Sequence, residues 1–239
     1  MSLHRLTTIT IGVPNVADTA QYYAEFGLAP EPTHVPAAEA AHDGDQAVSF
    51  STGDGGVQLR LQSAARRRLV ELRVGADEPD DLARVAASLA RLGIAAEQTG
   101  TEIRTYDPGT EVCVVVEIAG RIVQADTPAP PYNTPGHISR PDTRAPGVLR
   151  ETPVRPRKLG HVVLGSTDQA GSQRLFTEGL GFKISDTVPG LAAFMRCSTD
   201  HHNVLPQDTE WGQHEGVLVD PDGNVIRFGS PMNADPGQR

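Results

Sequence analysis

The stretch LTTITIGVPNVADTAQYYAEFGL, residues 6–28, aligns with LGHVVLGSTDQAGSQRLFTEGLGF, residues 159–182, at an offset of 153. The alignment places similar residues opposite each other: Leu6 on Leu159, Gly12 on Gly165, Ala17 on Ala170, Tyr23 on Phe176 and Glu25 on Glu178. Each copy predicts a strand, a turn and a short amphipathic helix that ends near a glycine. An internal repeat of this kind indicates a fold built from copies of one small module.

Short predicted strands follow the helix in both copies: QAVSF and VQLRL in the first, FKIS and AAFMRC in the second. A further unit begins at Leu69, with the strand LVELRV, the helix PDDLARVAASLARLG and the strands EIRTYD and VCVVVEI. The first half therefore holds two βαββ(β) units, residues 4–63 and 70–123. Because one helix cannot cover both faces of a small sheet, paired modules close into a cup that suits a small molecule. We predict an α+β fold of paired βαβββ modules with cup-shaped sheets.

A proline-rich stretch, residues 124–157, separates the two halves and has no sustained hydrophobic period. We predict an N-terminal domain over residues 1–123, a linker over 124–157 and a C-terminal domain over 158–239. In the second half, the fourth unit, residues 206–231, is about half as long as its counterpart. Its segment HEGVLVDPDGNVIRFGSP predicts two strands around a DPDG turn, so the opening strand and helix of this module are missing.

The composition narrows the range of partners. Lys plus Arg is 21, Asp plus Glu is 30 and the net charge is −9, which argues against nucleic acid or an anionic membrane surface as a partner. The chain has no apolar span of 18 residues and no signal-peptide pattern at its start, so we expect no membrane crossing and no secretion. With only Cys113 and Cys197 available, a disulfide framework is not expected, and a cytoplasmic location fits best.

The two halves differ most informatively where Thr8 aligns with His161. The segment FMRCSTDHHNV, residues 194–204, then places His201 and His202 just after a short apolar strand. An isolated histidine is more often a core side chain satisfied by one hydrogen bond than a ligand. Here three histidines belong to one module, and we expect His161 to point into the cup beside the pair.

Three consecutive segments of the second half, RPRKLGHVVLGSTDQ, LFTEGLGFKISDTV and FMRCSTDHHNV, resemble the catalytic half of type I extradiol dioxygenases, the catechol 2,3-dioxygenase group of the vicinal-oxygen-chelate superfamily. The resemblance implies Fe(II) or Mn(II) held by two histidines and one glutamate, with open positions for a catechol and dioxygen. It places His161 on the first metal ligand and His202, with His201 beside it, on the acid–base position. It also implies that the N-terminal domain is non-catalytic.

Two ligands of the family are absent from their expected positions. The missing strand of the fourth module would carry the second histidine, and the glutamate position falls on Arg227, whose guanidinium cannot ligate a cation. The remaining metal ligands would then be His214 or Glu215, or residues from a partner subunit. The tail WGQHEGVLVDPDGNVIRFGSP instead resembles the end of glyoxalase-like and bleomycin-resistance proteins, whose bleomycin-binding members carry no catalytic metal. For substrate contacts we select Phe194, Arg196 and Trp211, the last because an indole can stack on an aromatic ligand.

Three functions stay open from the sequence. The first is an Fe(II)- or Mn(II)-dependent extradiol dioxygenase acting on a catechol-type aromatic. The second is a metal-free protein that binds or sequesters a small aromatic molecule and has no cofactor, and the third is cofactor-free lyase or isomerase chemistry at His202. In the first half, the turn at Asp107 followed by Glu117 is similar to the DPDG turn and the glutamate position of the second half. Because Thr8 stands there in place of a histidine, we expect the first copy to be structural. The incomplete module leaves a strand edge that needs covering, which predicts a homodimer.

Overall fold

The computed structural model describes residues 3–32, 47–124, 142, 155–189 and 191–208, together with the backbone of two later strands. Its first two modules each contain one strand, one helix and three further strands. The first module comprises β1 (Leu3–Val13), α1 (Val16–Glu25), β2 (Ala29–Glu31), β3 (Val48–Thr52) and β4 (Gly56–Ser63). The second comprises β5 (Arg68–Ala76), α2 (Pro79–Arg91), β6 (Ala96–Gln98), β7 (Glu102–Asp107) and β8 (Val112–Ile118).

These two modules share one eight-stranded sheet in the order β2-β3-β4-β1-β5-β8-β7-β6. Within each module the first strand runs parallel to the last, as β1 does to β4 and β5 to β8. The two modules join through antiparallel pairing of β1 with β5. The predicted α+β fold of paired βαβββ modules is confirmed.

The third module repeats this topology in a sheet of its own, in the order β10-β11-β12-β9. Its elements are β9 (Val162–Ser166), α3 (Gln169–Arg174), a π-helical turn (Leu175–Leu180), β10 (Lys183–Val188), β11 (Ala192–Arg196) and β12 (Val204–Asp208). Pro206 lies opposite Leu164 in the parallel pairing of β12 with β9. The fourth unit therefore does not begin at Pro206, as the sequence suggested, because that residue completes the third module.

The last described elements are β13 (Gln213–Val219) and β14 (Val225–Pro231), which pair with each other in an antiparallel two-stranded sheet. They match the two strands predicted around the DPDG turn. Within the parts of the chain that the structure describes, no opening strand or helix precedes them.

The helix boundaries follow the sequence repeat. Asn15 caps α1 by accepting a hydrogen bond from the backbone N–H of Asp18, and Asp168 caps α3 by accepting one from Gly171, at the same offset of 153. In both copies the helix region ends at a glycine with left-handed backbone conformation. This glycine is Gly27 (φ 104°) in the first copy and Gly181 (φ 89°), which follows the π-helical turn, in the second. The offset there is 154, because a π-turn takes up one extra residue.

The second and third modules share one hydrophobic core. Helix α2 packs against the π-helical turn, where Gly179 lies so close that an added Cβ would stand 2.9 Å from the Leu89 Cδ2 atom. The shared core contains buried apolar side chains from both modules, among them Leu72, Val74, Leu82, Leu89, Val114, Phe176, Leu180 and Met195. The third module thus packs against the N-terminal pair through one face of its sheet. The other face of this sheet points away from the shared core.

Candidate functional site

A cluster of aromatic side chains occupies the face of the third module's sheet that points away from the core. His161 directly precedes β9, and the alternation along this strand exposes His161 and Val163 while burying Leu164. The His161 ring lies 4.6 Å from the His202 ring, centroid to centroid. The structure therefore brings the histidine of the first strand to the histidine pair, on a sheet face that is exposed in the part of the chain that the structure describes.

Phe194 of β11 completes this cluster. Its ring meets His202 edge to face at a centroid distance of 5.1 Å and His201 at 5.8 Å. The Nδ1 atoms of His201 and His202 are 3.1 Å apart, so one ring donates and the other accepts. We call His161, Phe194, His201 and His202 the histidine face.

Burial lowers the pKa of His202, and the nearby His161 and His201 rings act in the same direction. His202 is therefore mainly neutral at pH 7, with one donor and one acceptor ring nitrogen, and its Nδ1 atom is shared with His201. His161 and His201 are exposed.

The loop between β11 and β12 is held in place by Asn203. Its buried side-chain oxygen accepts hydrogen bonds from the backbone N–H groups of Cys197 (2.9 Å) and Ser198 (3.1 Å), and its amide nitrogen donates to the Gly160 carbonyl (3.2 Å). The carboxylate of this loop, Asp200, is bound at both oxygens by Lys158 at 2.7 Å. Asn203 thus connects the histidine pair to the strand that follows His161.

Of the remaining predicted site residues, only Arg196 has a side chain that the structure describes. Arg196 lies at the end of β11 and donates to the Ser198 carbonyl at 3.5 Å. The backbone of His214 pairs with Ser230 and that of Glu215 with Gly229, in a strand whose side chains are not described. Trp211 lies outside the described residues. The roles assigned to all these residues stay predictions.

The donors at the histidine face do not fit a two-histidine, one-carboxylate metal centre. Among the side chains that the structure describes, no group of three or more His, Cys, Asp or Glu is arranged to hold a metal ion. The histidine face offers imidazoles, while the carboxylate of its loop is engaged by Lys158. A hard divalent cation such as Mn(II) favours oxygen ligands, and none of the carboxylates that the structure describes is free at the histidine face.

The first half carries an ionic cluster on the corresponding face of its own sheet, the face that points away from the shared hydrophobic core. Arg73 of β5 donates to Glu117 of β8 at 2.9 Å through Nε, to Glu71 at 3.0 Å and also to Glu102. Thr7 donates a further hydrogen bond to Glu117 at 2.6 Å. Burial alone would raise the pKa of Glu117, but the hydrogen bonds from Arg73 and Thr7 outweigh it and hold this pKa below its usual range.

In this cluster a guanidinium supplies the positive charge beside Glu117, and the expectation that the first copy is structural stays a prediction. Thr8 is buried and donates to the Val57 carbonyl at 3.0 Å. Sequence reasoning missed Arg73. The available signal was a pair of Glu-x-Arg patterns, Glu71 with Arg73 and Glu102 with Arg104, which places both charges of each pair on one face of a strand.

The sequence matches no family model and none of the curated proteins compared with it. Similar solved structures include the Mn(II)-bound glyoxalase from Novosphingobium aromaticivorans, at 19% identity and a TM-score of 0.59, covering 97% of this chain and 83% of that one. BphC, a halotolerant catechol dioxygenase, aligns at 12% identity and a TM-score of 0.61, covering 99% and 90%. The 2,2',3-trihydroxybiphenyl 1,2-dioxygenase from dibenzofuran-degrading Sphingomonas wittichii strain RW1 aligns at 16% and 0.55, covering 95% and 90%.

These likenesses establish the fold, which this chain shares with solved structures of a glyoxalase, a catechol dioxygenase and a trihydroxybiphenyl dioxygenase. The resemblance inferred from the histidine motifs is thereby confirmed at the level of architecture. None of the helices described is both long and apolar enough to cross a membrane.

Proposed function

We propose that this chain, with the fold of glyoxalases and extradiol dioxygenases, binds a small aromatic molecule of the catechol type at the histidine face. We further propose that it does so without a resident metal centre of the dioxygenase kind. The observation that carries the proposal is the histidine face itself, where four aromatic rings meet with no free carboxylate from their own loop.

The chemistry of the histidine face suits a hydroxylated aromatic ring. Phe194 and the imidazole of His202 offer ring edges and faces at distances typical of aromatic packing, worth about 0.5–1.5 kcal/mol for each pair. The imidazole nitrogens of His161 and His202 can donate to or accept from phenolic hydroxyl groups. His161 and His201 are exposed, so among the described residues this face is open to a ligand.

The metal-free part of the proposal is supported by donor chemistry. In the sequence, Arg227 stands where the dioxygenase family has its glutamate ligand, and a guanidinium cannot bind a cation. Arg227 lies in β14, opposite Val217. A two-histidine, one-carboxylate centre would therefore need a carboxylate from another part of the chain, such as Glu215.

An extradiol ring-cleaving dioxygenase is the second candidate. It is favoured by the solved catechol dioxygenase structures that align over almost the entire chain, and by the proximity of His161 to His202. Under this reading His161 and Glu215 would hold Fe(II) or Mn(II), and His202 would move a proton between the catechol hydroxyl and its own ring nitrogen.

Calorimetric titration with catechol separates the two functions. Protein stripped of metal with a chelator should bind catechol as tightly as untreated protein, and His202→Ala should weaken binding by about fivefold or more through the lost ring contacts. His201→Ala serves as a graded control with a smaller effect, because its ring is exposed and lies farther from Phe194. Binding that appears only after addition of Fe(II), together with oxygen consumption, would support the dioxygenase and overturn the metal-free proposal.

The predicted homodimer stays a prediction. Its physical basis is the edge of β9, which no strand covers within the described part of the chain. Light scattering should give twice the chain mass of 25.5 kDa. A single species at the monomer mass would contradict it.

A further inference from the structure

A cavity is lined in part by the loop that carries the histidine pair, through Cys197, Ser198, Thr199, Asp200 and Asn203. It has a volume of about 360 Å³, which is within the range of small-molecule sites. Its walls are the start of β1, the segment after β8, the start of β10 and the loop after β11, including Arg5, Ile122, Leu159, Lys183, Arg196 and Asp200. Neither His161 nor the histidine pair lines it, so this cavity is separate from the histidine face.

The lining of this cavity is strongly cationic although the chain as a whole carries a charge of −9. Two of its basic residues are neutralised by carboxylates: Lys158 binds Asp200 at 2.7 Å, and Arg121 binds Asp77 at 2.6 Å. The other three, Arg5, Lys183 and Arg196, have no ion pair with any carboxylate whose side chain the structure describes.

Two of these unpaired cations face each other. Lys183 of β10 and Arg196 of β11 are direct partners in the antiparallel register, where like charges destabilise a sheet. An anion bound between the two groups would relieve this repulsion.

Arg5 adds a third, partly buried charge. Its guanidinium donates to backbone carbonyls alone, those of Gly120 at 2.9 Å and Gly55 at 3.4 Å. Burial lowers the pKa of Arg5, but an arginine keeps its proton at every accessible pH. Glu117 attracts this charge from a distance, but no described carboxylate forms an ion pair with Arg5, so the cavity wall retains a half-buried guanidinium.

We propose that this cavity binds a small organic anion. A carboxylate or phosphate group of the ligand is held by Arg5, Lys183 and Arg196, since guanidinium groups bind such oxygens in bidentate geometry. The apolar part of the ligand packs on the aliphatic side chains of the same wall, Leu3, Leu6, Ile122 and Leu159.

Calorimetry with benzoate, inorganic phosphate and uncharged benzamide tests this site on the full chain. Benzoate should bind, benzamide should not, and phosphate reports whether the charged group alone suffices or the apolar body is needed. Arg196→Gln should weaken benzoate binding by about tenfold or more, the range for a charge-assisted hydrogen bond. The control is Arg174→Gln, an exposed arginine that pairs with Glu178 away from the cavity, which should leave benzoate binding unchanged.

Lys183→Gln distinguishes a ligand site from a structural role. It should weaken benzoate binding and at the same time raise the melting temperature of the ligand-free protein, because it removes the repulsion from Arg196. A merely structural lysine would give a lower melting temperature. Equal binding of benzoate and benzamide, or equal losses in Arg196→Gln and Arg174→Gln, would overturn the proposal. His202→Ala should leave benzoate binding intact, so this site and the histidine face can fail independently.

Discussion

Replacing Arg73 by methionine should destabilise the protein more than any other single change in the ionic cluster of the first half. The Arg73 side chain is 11% exposed and serves three carboxylates, Glu71, Glu102 and Glu117, which are 13–26% exposed. Methionine keeps the apolar bulk and removes the charge, so the three carboxylates are left facing one another. Breaking a buried pair costs about 3–5 kcal/mol. Since these groups keep some contact with water, we expect about 3 kcal/mol of unfolding free energy to be lost at pH 7.

The loss should shrink as the pH falls. In the wild type the pKa of Glu117 is held below its unfolded value, so its contribution is present above that unfolded value and is lost as the pH falls through the folded one. In Arg73→Met the main hydrogen bonds are gone and burial dominates, which raises the pKa of Glu117 above its unfolded value. The variant therefore gains stability on acidification while the wild type loses it.

Urea denaturation of wild type and Arg73→Met at pH 7 and near pH 4.5 measures both effects. The matched control is Arg104→Met, which removes an arginine that pairs with Glu71 and Glu102 but is 40% exposed. Its cost should be about 1 kcal/mol or less, as for exposed ion pairs. The reasoning is refuted if Arg73→Met costs no more than Arg104→Met, or if its deficit is the same at both pH values.

Three further predictions concern the third module and its packing. Asn203→Ala should cost about 1–3 kcal/mol in urea denaturation, because buried backbone N–H groups lose their acceptor; an unchanged unfolding midpoint would contradict this. Burial raises the pKa of Cys197 to about 12, so the native thiol should stay protonated at pH 8. Mass spectrometry should then show no iodoacetamide adduct on Cys197 in native protein and complete labelling in urea. Rapid labelling of native protein would contradict this. Gly179→Ala should lower the free energy of unfolding by about 1–3 kcal/mol, because the new methyl group meets Leu89. The control Gly100→Ala, which has open space around it, should lower it by less than about 1 kcal/mol. Equal effects would show that the contact with Leu89 relaxes freely.

Local signals in the sequence predicted the modular fold because the helix regions of the first and third modules start at a capping side chain and end at a glycine. Asn15 and Asp168 are N-caps at matching positions, and both cap hydrogen bonds form as the repeat implies. Glycines close both helix regions with positive φ. What could not be predicted is the π-helical turn, since an insertion of one residue leaves almost no trace in a hydrophobic pattern of period 3.6.

The site was predictable only in part, since it depends on contacts between distant segments. The motif around His161 and His202 predicted their proximity, which the ring distance of 4.6 Å bears out. The exposure of His161 depends on what lies against β9, and no local pattern reports this. The partners of Arg73 lie on three strands and meet only once β5, β7 and β8 have paired in register. The cationic cavity likewise joins segments nearly 200 residues apart.

Elemental analysis of protein purified without chelator, with catechol binding measured on the same sample, tests the proposal of a metal-free aromatic site most directly. We predict far less than one iron or manganese per chain, catechol binding in the metal-poor sample, and a metal content that His161→Ala does not change. About one iron or manganese per chain, lost in His161→Ala together with catechol binding, would contradict it.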